Sequence, residues 1–558
     1  MRKLSRSLLA ASVAAVVSIG LGACGSDDDD SGGGGGGGET GGEITAAFTS
    51  SPQFTDPATE YTAEGWTALW TVYLGPVTYR HAEDASGSEL IAGLAEEMPA
   101  ISDDGKTYTW TFRKGLKFSD GTPLKASDWE HTIKRVLTLE SGGMSYYEGI
   151  VGVDKYLESG DPDGDISGIK TDDATGKVTV TLVEPDGAFL HVLAMLFSGV
   201  VPGDTPFKNQ SKNPPPGIGQ FKITSSVPNR ELVLEKNDNY PEIADAPPAK
   251  LDKITIKIVK DERRQAQDVI RGDLDWIVDP PPADLLPEIR EKYADRFETV
   301  GSPSTYFLYL NEEVEPFDDP KVREAVATGL DKEALARLFG GLLTPGCNFL
   351  PPELEGVGYK KLDPCPYGDP EIGGGDLETA KQMIEDAGAA GAEVTVWGND
   401  EDPTQKVTEN LADQLTQMGF KAEPKVVAGT VWLQTIGNKK TPNNQAGFDN
   451  WFQDFPHPAN WFFLVHGDTI QPTNNTNHSN TNVPEFNREI DALAREPDLA
   501  AVADRYAELD RKVVEHAGDI PYGYRKLVNF MSERMDFENC STAHPVYSHD
   551  LTGFCLKP

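Results

Sequence analysis

The chain has 558 residues and carries 89 Asp plus Glu against 50 Lys plus Arg, a formal net charge of −39 at pH 7. So acidic a surface repels nucleic-acid phosphates and no basic stripe offsets it, which excludes nucleic acid as a partner and favours a soluble monomer. About 500 residues beyond the N-terminal region are too many for one hydrophobic core, so two or three domains are expected.

Arg2, Lys3 and Arg6 precede an uncharged apolar run from Leu8 to Leu21, which reads as a secretory signal, too short and wrongly flanked for a membrane span. The run ends Leu21-Gly22-Ala23-Cys24, which resembles the lipobox of bacterial lipoproteins. That resemblance implies removal of residues 1–23 and acylation of Cys24. Gly25 to Gly42 is rich in Asp and Gly, holds no apolar residue and reads as a flexible tether. A diacylglycerol plus a third acyl chain exceeds the two signals that stable anchoring needs, so the protein is expected outside the cytoplasmic membrane, held to it by lipid.

From residue 43 to about 302 the pattern is mostly short β-like runs, at Glu43–Thr49, Lys177–Val183, Phe221–Thr224, Glu231–Glu235 and Lys253–Val259, with helical patterns at Ser127–Leu137 and Asp261–Gly272. Within it, Tyr108, Trp110 and Phe112 alternate with threonines as a half-buried strand does. Ser127 and Glu130 have capping-box spacing, and Trp129, Ile133, Val136 and Leu137 fall on one helical face. From 303 to 520 the texture changes. A strand at Thr305–Leu310 leads to a helix capped by Asp319 with Pro320 at its first position. Helices from Asp331, over Asp376–Ala387 and over Pro403–Met418 then alternate with strands at Glu393–Trp397 and from Phe420, an α/β pattern. The segment from Ile520-Pro521 through 558 returns to β-like texture. A chain that leaves one domain, builds a second and returns makes two crossovers, the layout of a hinge with a cleft.

Four cysteines remain after Cys24. Cys347 and Cys365 are 18 apart, Cys540 and Cys555 are 15 apart, and the compartment favours disulfides. Four cysteines allow three pairings. The two local ones are favoured, each worth roughly 3 kcal/mol on a chain-entropy estimate. No C-x-x-C supports zinc.

Several separated segments share an order with one family. They are GLKFSDGTPLKASD (Gly115–Asp128), GIGQFKI with LVLEKNDNY (217–240), LYLNEEVEPFDDPKVREAVATGLDKEAL (308–335), DLETAKQMIEDAG (376–388), LADQLTQMGFKAE (411–423) and WFQDFPHPANWFF (451–463). Together they resemble the extracellular solute-binding proteins of dipeptide- and oligopeptide-type ABC importers, the family 5 proteins that also include nickel binders. The resemblance covers residues 43 to 530. It implies a two-lobed α/β fold of the periplasmic-binding-protein type, with a discontinuous first domain (43–302 and 521–558), an extra β-rich subdomain at about 76–216, a second domain at 303–520, and a hinge. It also implies a membrane permease as partner, a captured solute rather than a transformed one, and no cofactor. An oligopeptide fits better than a dipeptide. Open alternatives are a nickel chelate, a cationic or sugar-like solute, or a secreted hydrolase.

Trp451-Phe452-Gln453-Asp454-Phe455 surrounds one carboxylate with aromatic residues, a receptor for an ammonium through charge-assisted hydrogen bonds and cation–π attraction. In peptide-binding relatives the Asp of the matching W-x-x-D-Y motif takes the ligand's α-ammonium, which implies that role for Asp454, with Phe455 in place of the Tyr. Relatives specific for dipeptides hold the carboxylate with an Arg. The corresponding turn here, Trp397 to Asp402, is acidic and has none. Ser50, Ser51 and Gln53 match the segment whose backbone pairs with an extended peptide. Trp66, Trp70, Trp432 and Trp461 are candidates for side-chain pockets, with core packing the alternative, and Trp397 is a further candidate for the ligand site. His457, His466 and His478 lack ligand spacing, so no metal is assigned. No G-x-S-x-G or H-E-x-x-H occurs, and no catalytic residue is assigned.

Overall fold

The computed structural model describes residues 40–368, 374–540 and 543–558. The apolar leader, Cys24 and the tether up to residue 39 lie outside the described residues. Twelve strands form the main sheet: β1 (Glu43–Phe48), β2 (Phe221–Val227), β3 (Glu231–Lys236), β4 (Lys253–Ile258), β5 (Trp276–Ile277), β6 (Phe297–Gly301), β7 (Ser304–Leu310), β8 (Leu343–Pro345), β9 (Glu393–Asn399), β10 (Lys421–Val427), β11 (Ala446–Phe452) and β12 (Asp519–Met531). Their spatial order is β10-β9-β11-β7-β12-β5-β1-β4-β3-β2, with β6 and β8 also pairing onto β12.

The thirteen-residue β12 is the element common to both halves of this sheet. Its N-terminal part pairs antiparallel with β7 and β8, and its C-terminal part pairs with β6 and β5. The chain first crosses at Ser302-Pro303, between the end of β6 and the start of β7. It crosses back inside β12, near Arg525 and Lys526. Every residue of β7 is buried, so its sequence STYFLYL reads as a run without polar alternation. A strand covered on both faces has that pattern.

A separate four-stranded antiparallel sheet, Ala100–Ile101, Thr107–Thr111, Lys177–Thr181 and Ile169–Asp172, packs with α1 (Ala126–Thr138). Trp129, Ile133 and Val136 of α1 are fully buried, each contributing roughly 1.5–3 kcal/mol of transfer free energy. The start of α1 differs from the expected capping box. Ser127 already lies inside the helix, where its N–H and hydroxyl donate to Asp173, and the Asp128 carboxylate accepts from the Lys125 N–H at 2.7 Å. An acid two residues from the first helical position reaches back to the orphan amide, so the helix begins earlier than Ser127.

One buried ion pair ties α1 to the loop after β1. The Arg135 guanidinium donates to both Asp56 oxygens at 3.1 and 2.6 Å and to the Pro206 carbonyl at 3.1 Å, and neither side chain of the pair is exposed. The Ala58 and Gln210 amides complete the Asp56 carboxylate. The disulfides Cys347–Cys365 and Cys540–Cys555 are both formed. Among the described residues no helix is long and apolar enough to cross a membrane.

Arg135→Ala would leave Asp56 as a buried charge without its partner. Denaturant unfolding is expected to show a loss of about 3–5 kcal/mol. A loss below about 1 kcal/mol, the level of an exposed pair, would show that the loop is held by other contacts.

Candidate functional site

A cavity of about 470 Å³ opens where the chain crosses between the two halves of the sheet, and Ser302 and Pro303 form part of its wall. The end of β11 runs along it, carrying Asp449, Trp451 and Phe452 and leading into Asp454. The opposite wall comes from Tyr61, Trp66 and the C-terminal loop Val546–Ser548.

Asp454 is 9% exposed. Its Oδ2 accepts three hydrogen bonds, from the Tyr146 hydroxyl at 2.6 Å, the Tyr61 hydroxyl at 2.9 Å and the Asn460 amide at 3.0 Å. Asn460 also accepts the Asp454 N–H at 2.8 Å, so the carboxylate and its own backbone are fixed by one side chain. Oδ1 carries none of these bonds and is not sealed from solvent. Burial pushes the Asp454 carboxyl upward, and the bonds from Tyr146, Asn460 and Tyr61 pull it back down. Both tyrosines are raised well above the usual phenol range, by burial first and by the Asp454 charge second, so they stay protonated donors. Among the described residues the carboxylate is held by neutral donors, one oxygen makes no hydrogen bond and no cation pairs with it, an arrangement able to bond a positively charged group.

Around it the walls are apolar. Leu433 is 57% and Phe452 37% exposed, large hydrophobic side chains that face the cavity rather than the core. Trp432, on the helix Gly429–Ile436, stacks on Phe448 at 5.0 Å, and Trp451 meets Phe463 edge-on at 4.9 Å. Tyr61, Trp66 and Phe197 form a mutual aromatic cluster with centroids 5.4–5.7 Å apart.

Of the side chains expected at the site, Asp454, Trp451, Trp432 and Trp66 line the cavity together. The others are elsewhere. Phe455 turns away into a buried cluster, against His191 and Tyr146. Trp461 is fully buried and donates to the Thr305 hydroxyl, a core position. Trp397 is buried, donates to the Asn443 carbonyl and carries Lys425 over its ring at 4.1 Å. Trp70 lies under Tyr547, stacked at 4.0 Å, and supports the wall from behind. Ser51 and Gln53 line a separate small crevice beside the β2–β3 hairpin, where the Ser51 hydroxyl accepts the Asn229 N–H, and Ser50 bonds Glu64. The three histidines are not brought together. His457 packs on His191 and Tyr506, with burial pushing it down to about 4, His466 lies near Asp491, and His478 bonds Asp449.

Tyr61, Tyr146, Asn460 and the C-terminal loop are site components absent from the sequence reading. Tyr146 and Asp454 are 308 positions apart, and nothing local in either stretch announces the pairing.

Residues 89–471 match the family described as bacterial extracellular solute-binding proteins, family 5 middle. The chain belongs to that family. It is an extracellular solute-binding protein with the family's two-lobed α/β fold, and proteins of this family bind rather than transform their solutes. It is 24% identical to the dipeptide-binding protein DppE of Bacillus subtilis (strain 168) over 476 residues, 82% of each chain. It is 25% identical over 483 residues to the glutathione-binding protein GsiB of Salmonella choleraesuis (strain SC-B67), 84% of each chain. Among solved structures, a clavulanic acid biosynthesis oligopeptide binding protein 2 superposes with a TM-score of 0.83 at 23% identity, covering 93% of this chain and 96% of that one.

Proposed function

We propose that this protein is the substrate-binding component of an ABC importer and captures a short peptide in the cavity at the crossover, with Asp454 Oδ1 taking the peptide's α-ammonium. The observation that carries this reading is the divided carboxylate: three donors converge on Oδ2 and leave Oδ1 open in an apolar chamber. A volume of about 470 Å³ lies within the roughly 300–1,000 Å³ of small-ligand pockets. The exposed Leu433 and Phe452 supply surface for apolar side chains of the ligand. Relatives named for dipeptides, oligopeptides and glutathione, all with free ammonium groups, agree with this assignment.

In this reading the domains run 43–302 and 521–558 for the first, with the α1 subdomain at about 76–216, and 303–520 for the second. They turn about Ser302-Pro303 and the middle of β12. Tyr61 and Tyr146 come from the first domain and Asp454 from the second, so the hydrogen bonds to Oδ2 form as the cleft closes. A ligand that binds the closed form better shifts the population toward it. The protein acts as a monomer tied to the outer membrane face through lipid on Cys24, and passes its solute to a permease.

Dialysis of the purified protein against a mixture of free tripeptides, followed by mass spectrometry, is expected to return retained peptides unchanged. Small-angle scattering with a retained peptide is expected to give a smaller radius of gyration than the empty protein. Cleaved products would point to a hydrolase, and an unchanged radius at saturation would remove the hinge. Cys24→Ala is expected to free the protein from the membrane or leave its precursor uncleaved; unaltered retention of processed protein would rule out the anchor.

A further inference from the structure

We infer that the two lobes are held shut by a latch outside the ligand cavity, in which the turn at residues 184–188 of the first domain docks on the C-terminal end of the helix Pro484–Ala494 of the second. This rests on the domain closure in the reading above and adds the contact that holds it. The Gly187 N–H donates to the Ala494 carbonyl at 2.8 Å. The last carbonyls of a helix have no partner within it, so an amide offered by another element finds a ready acceptor there. None of Gly187, Ala494, His191, His457 and Tyr506 lines the cavity.

The turn is fixed within its own domain. The Tyr108 hydroxyl donates to the Asp186 carbonyl at 2.8 Å, and the Asp186 carboxylate accepts the Ala188 N–H at 2.9 Å. Gly187 lies outside the left-handed region, so backbone conformation does not call for a glycine here. Room does. A Cβ at Gly187 would stand 2.2 Å from the Glu496 carbonyl oxygen and 3.4 Å from that of Ala494. Both obstacles belong to the second domain, so a side chain at 187 is compatible with an open cleft and not with this closed one. The contact continues beyond the turn. His191, in the short helix Phe189–Val192, is bonded through Nδ1 to the Tyr79 hydroxyl at 2.8 Å. Its ring meets those of Phe455 and His457 of the second domain at 5.8 Å each. Tyr506, on the helix Leu499–His516, is raised by burial first and by the Asp186 charge second, so the turn and this helix face each other across the same joint. Closure thus gains contacts that the ligand does not touch, and these set how long a ligand stays rather than which ligand enters.

Gly187→Ala separates the latch from the ligand contacts. Binding of Ala-Phe-Ala and of its N-acetyl form is measured by calorimetry, and release of Ala-Phe-Ala by stopped-flow tryptophan fluorescence. Gly187→Ala is expected to weaken Ala-Phe-Ala binding about tenfold or more, chiefly through faster release, because the closed fraction falls. The ratio of free to acetylated affinity is expected to stay that of wild type. Gly149→Ala, where a Cβ meets nothing within 4 Å, is expected to bind as wild type does. His191→Ala removes the ring that Phe455 and His457 cover and is expected to speed release too; it decides the matter alone if Gly187→Ala melts well below wild type. Unchanged release in these latch variants, or a changed ratio in Gly187→Ala, overturns the inference and leaves peptide capture standing. If wild type binds no tripeptide, the peptide reading fails, and small-angle scattering of the empty proteins decides. Wild type is then expected to have a smaller radius of gyration than Gly187→Ala, and equal radii overturn the latch.

Discussion

Three neutral donors meet on one oxygen of Asp454, and each comes from a different stretch of chain: Tyr61 from the loop after β1, Tyr146 from the turn after α1, and Asn460 from the segment beyond β11. Burial raises the Asp454 carboxyl and these neutral donors pull it back down, while its second oxygen makes no hydrogen bond among the described residues. Placing the two tyrosines side by side requires the layer around α1 to be rigid relative to the loop after β1. The buried Arg135–Asp56 pair, the Trp129–Trp110 contact at 5.0 Å and the Tyr547–Trp70 stack all serve that end. The aromatic strand and helix near residues 107–138 lead into the turn that carries Tyr146.

The second constraint is β12. A single strand that belongs to both halves of the sheet keeps them in register, and among the described residues the chain crosses between them at Ser302-Pro303 and near Arg525. Backbone pairing on both sides of this strand resists shear, and few crossings permit rotation, a combination that fits the proposed closure. Hydrogen bonds from Tyr61 and Tyr146 to Asp454, and from the Gln453 amide to the Pro545 carbonyl at 3.3 Å, span the cavity near its base.

Much of this was readable from the sequence, because the signals were local. Asp319 with Pro320, Asp331, Asp376, and Asp261 with Gly272 each marked a helix end where it is found, since caps act within one turn. The disulfide partners followed from short separations. Asp454 stood out because its aromatic neighbours are adjacent in sequence. What failed was direction. Trp451 faces the cavity while Phe455 and Trp461, a few residues on, pack into the core, because the chain leaves β11 through a turn at Pro456-His457-Pro458 and side-chain alternation is lost there. The helices Pro484–Ala494 and Leu499–His516 passed unnoticed, their apolar stripes diluted by charge. Tyr146 could not be found by any local rule, since its partner is set by tertiary packing alone.

The central claim is that Asp454 Oδ1 contacts the ligand's ammonium directly. It is tested by calorimetric binding of one retained peptide and its N-acetyl form to wild type and to Asp454→Ala, a double cycle on a single contact. Loss of one member of a buried charge pair costs about 2–5 kcal/mol, so either change alone should weaken binding roughly 30-fold or more. Acetylation should cost the mutant almost nothing further, and the empty mutant should melt close to wild type. Additive losses, or equal binding of the acetylated peptide by wild type, would contradict the account and leave Asp454 as a residue that only shapes the wall.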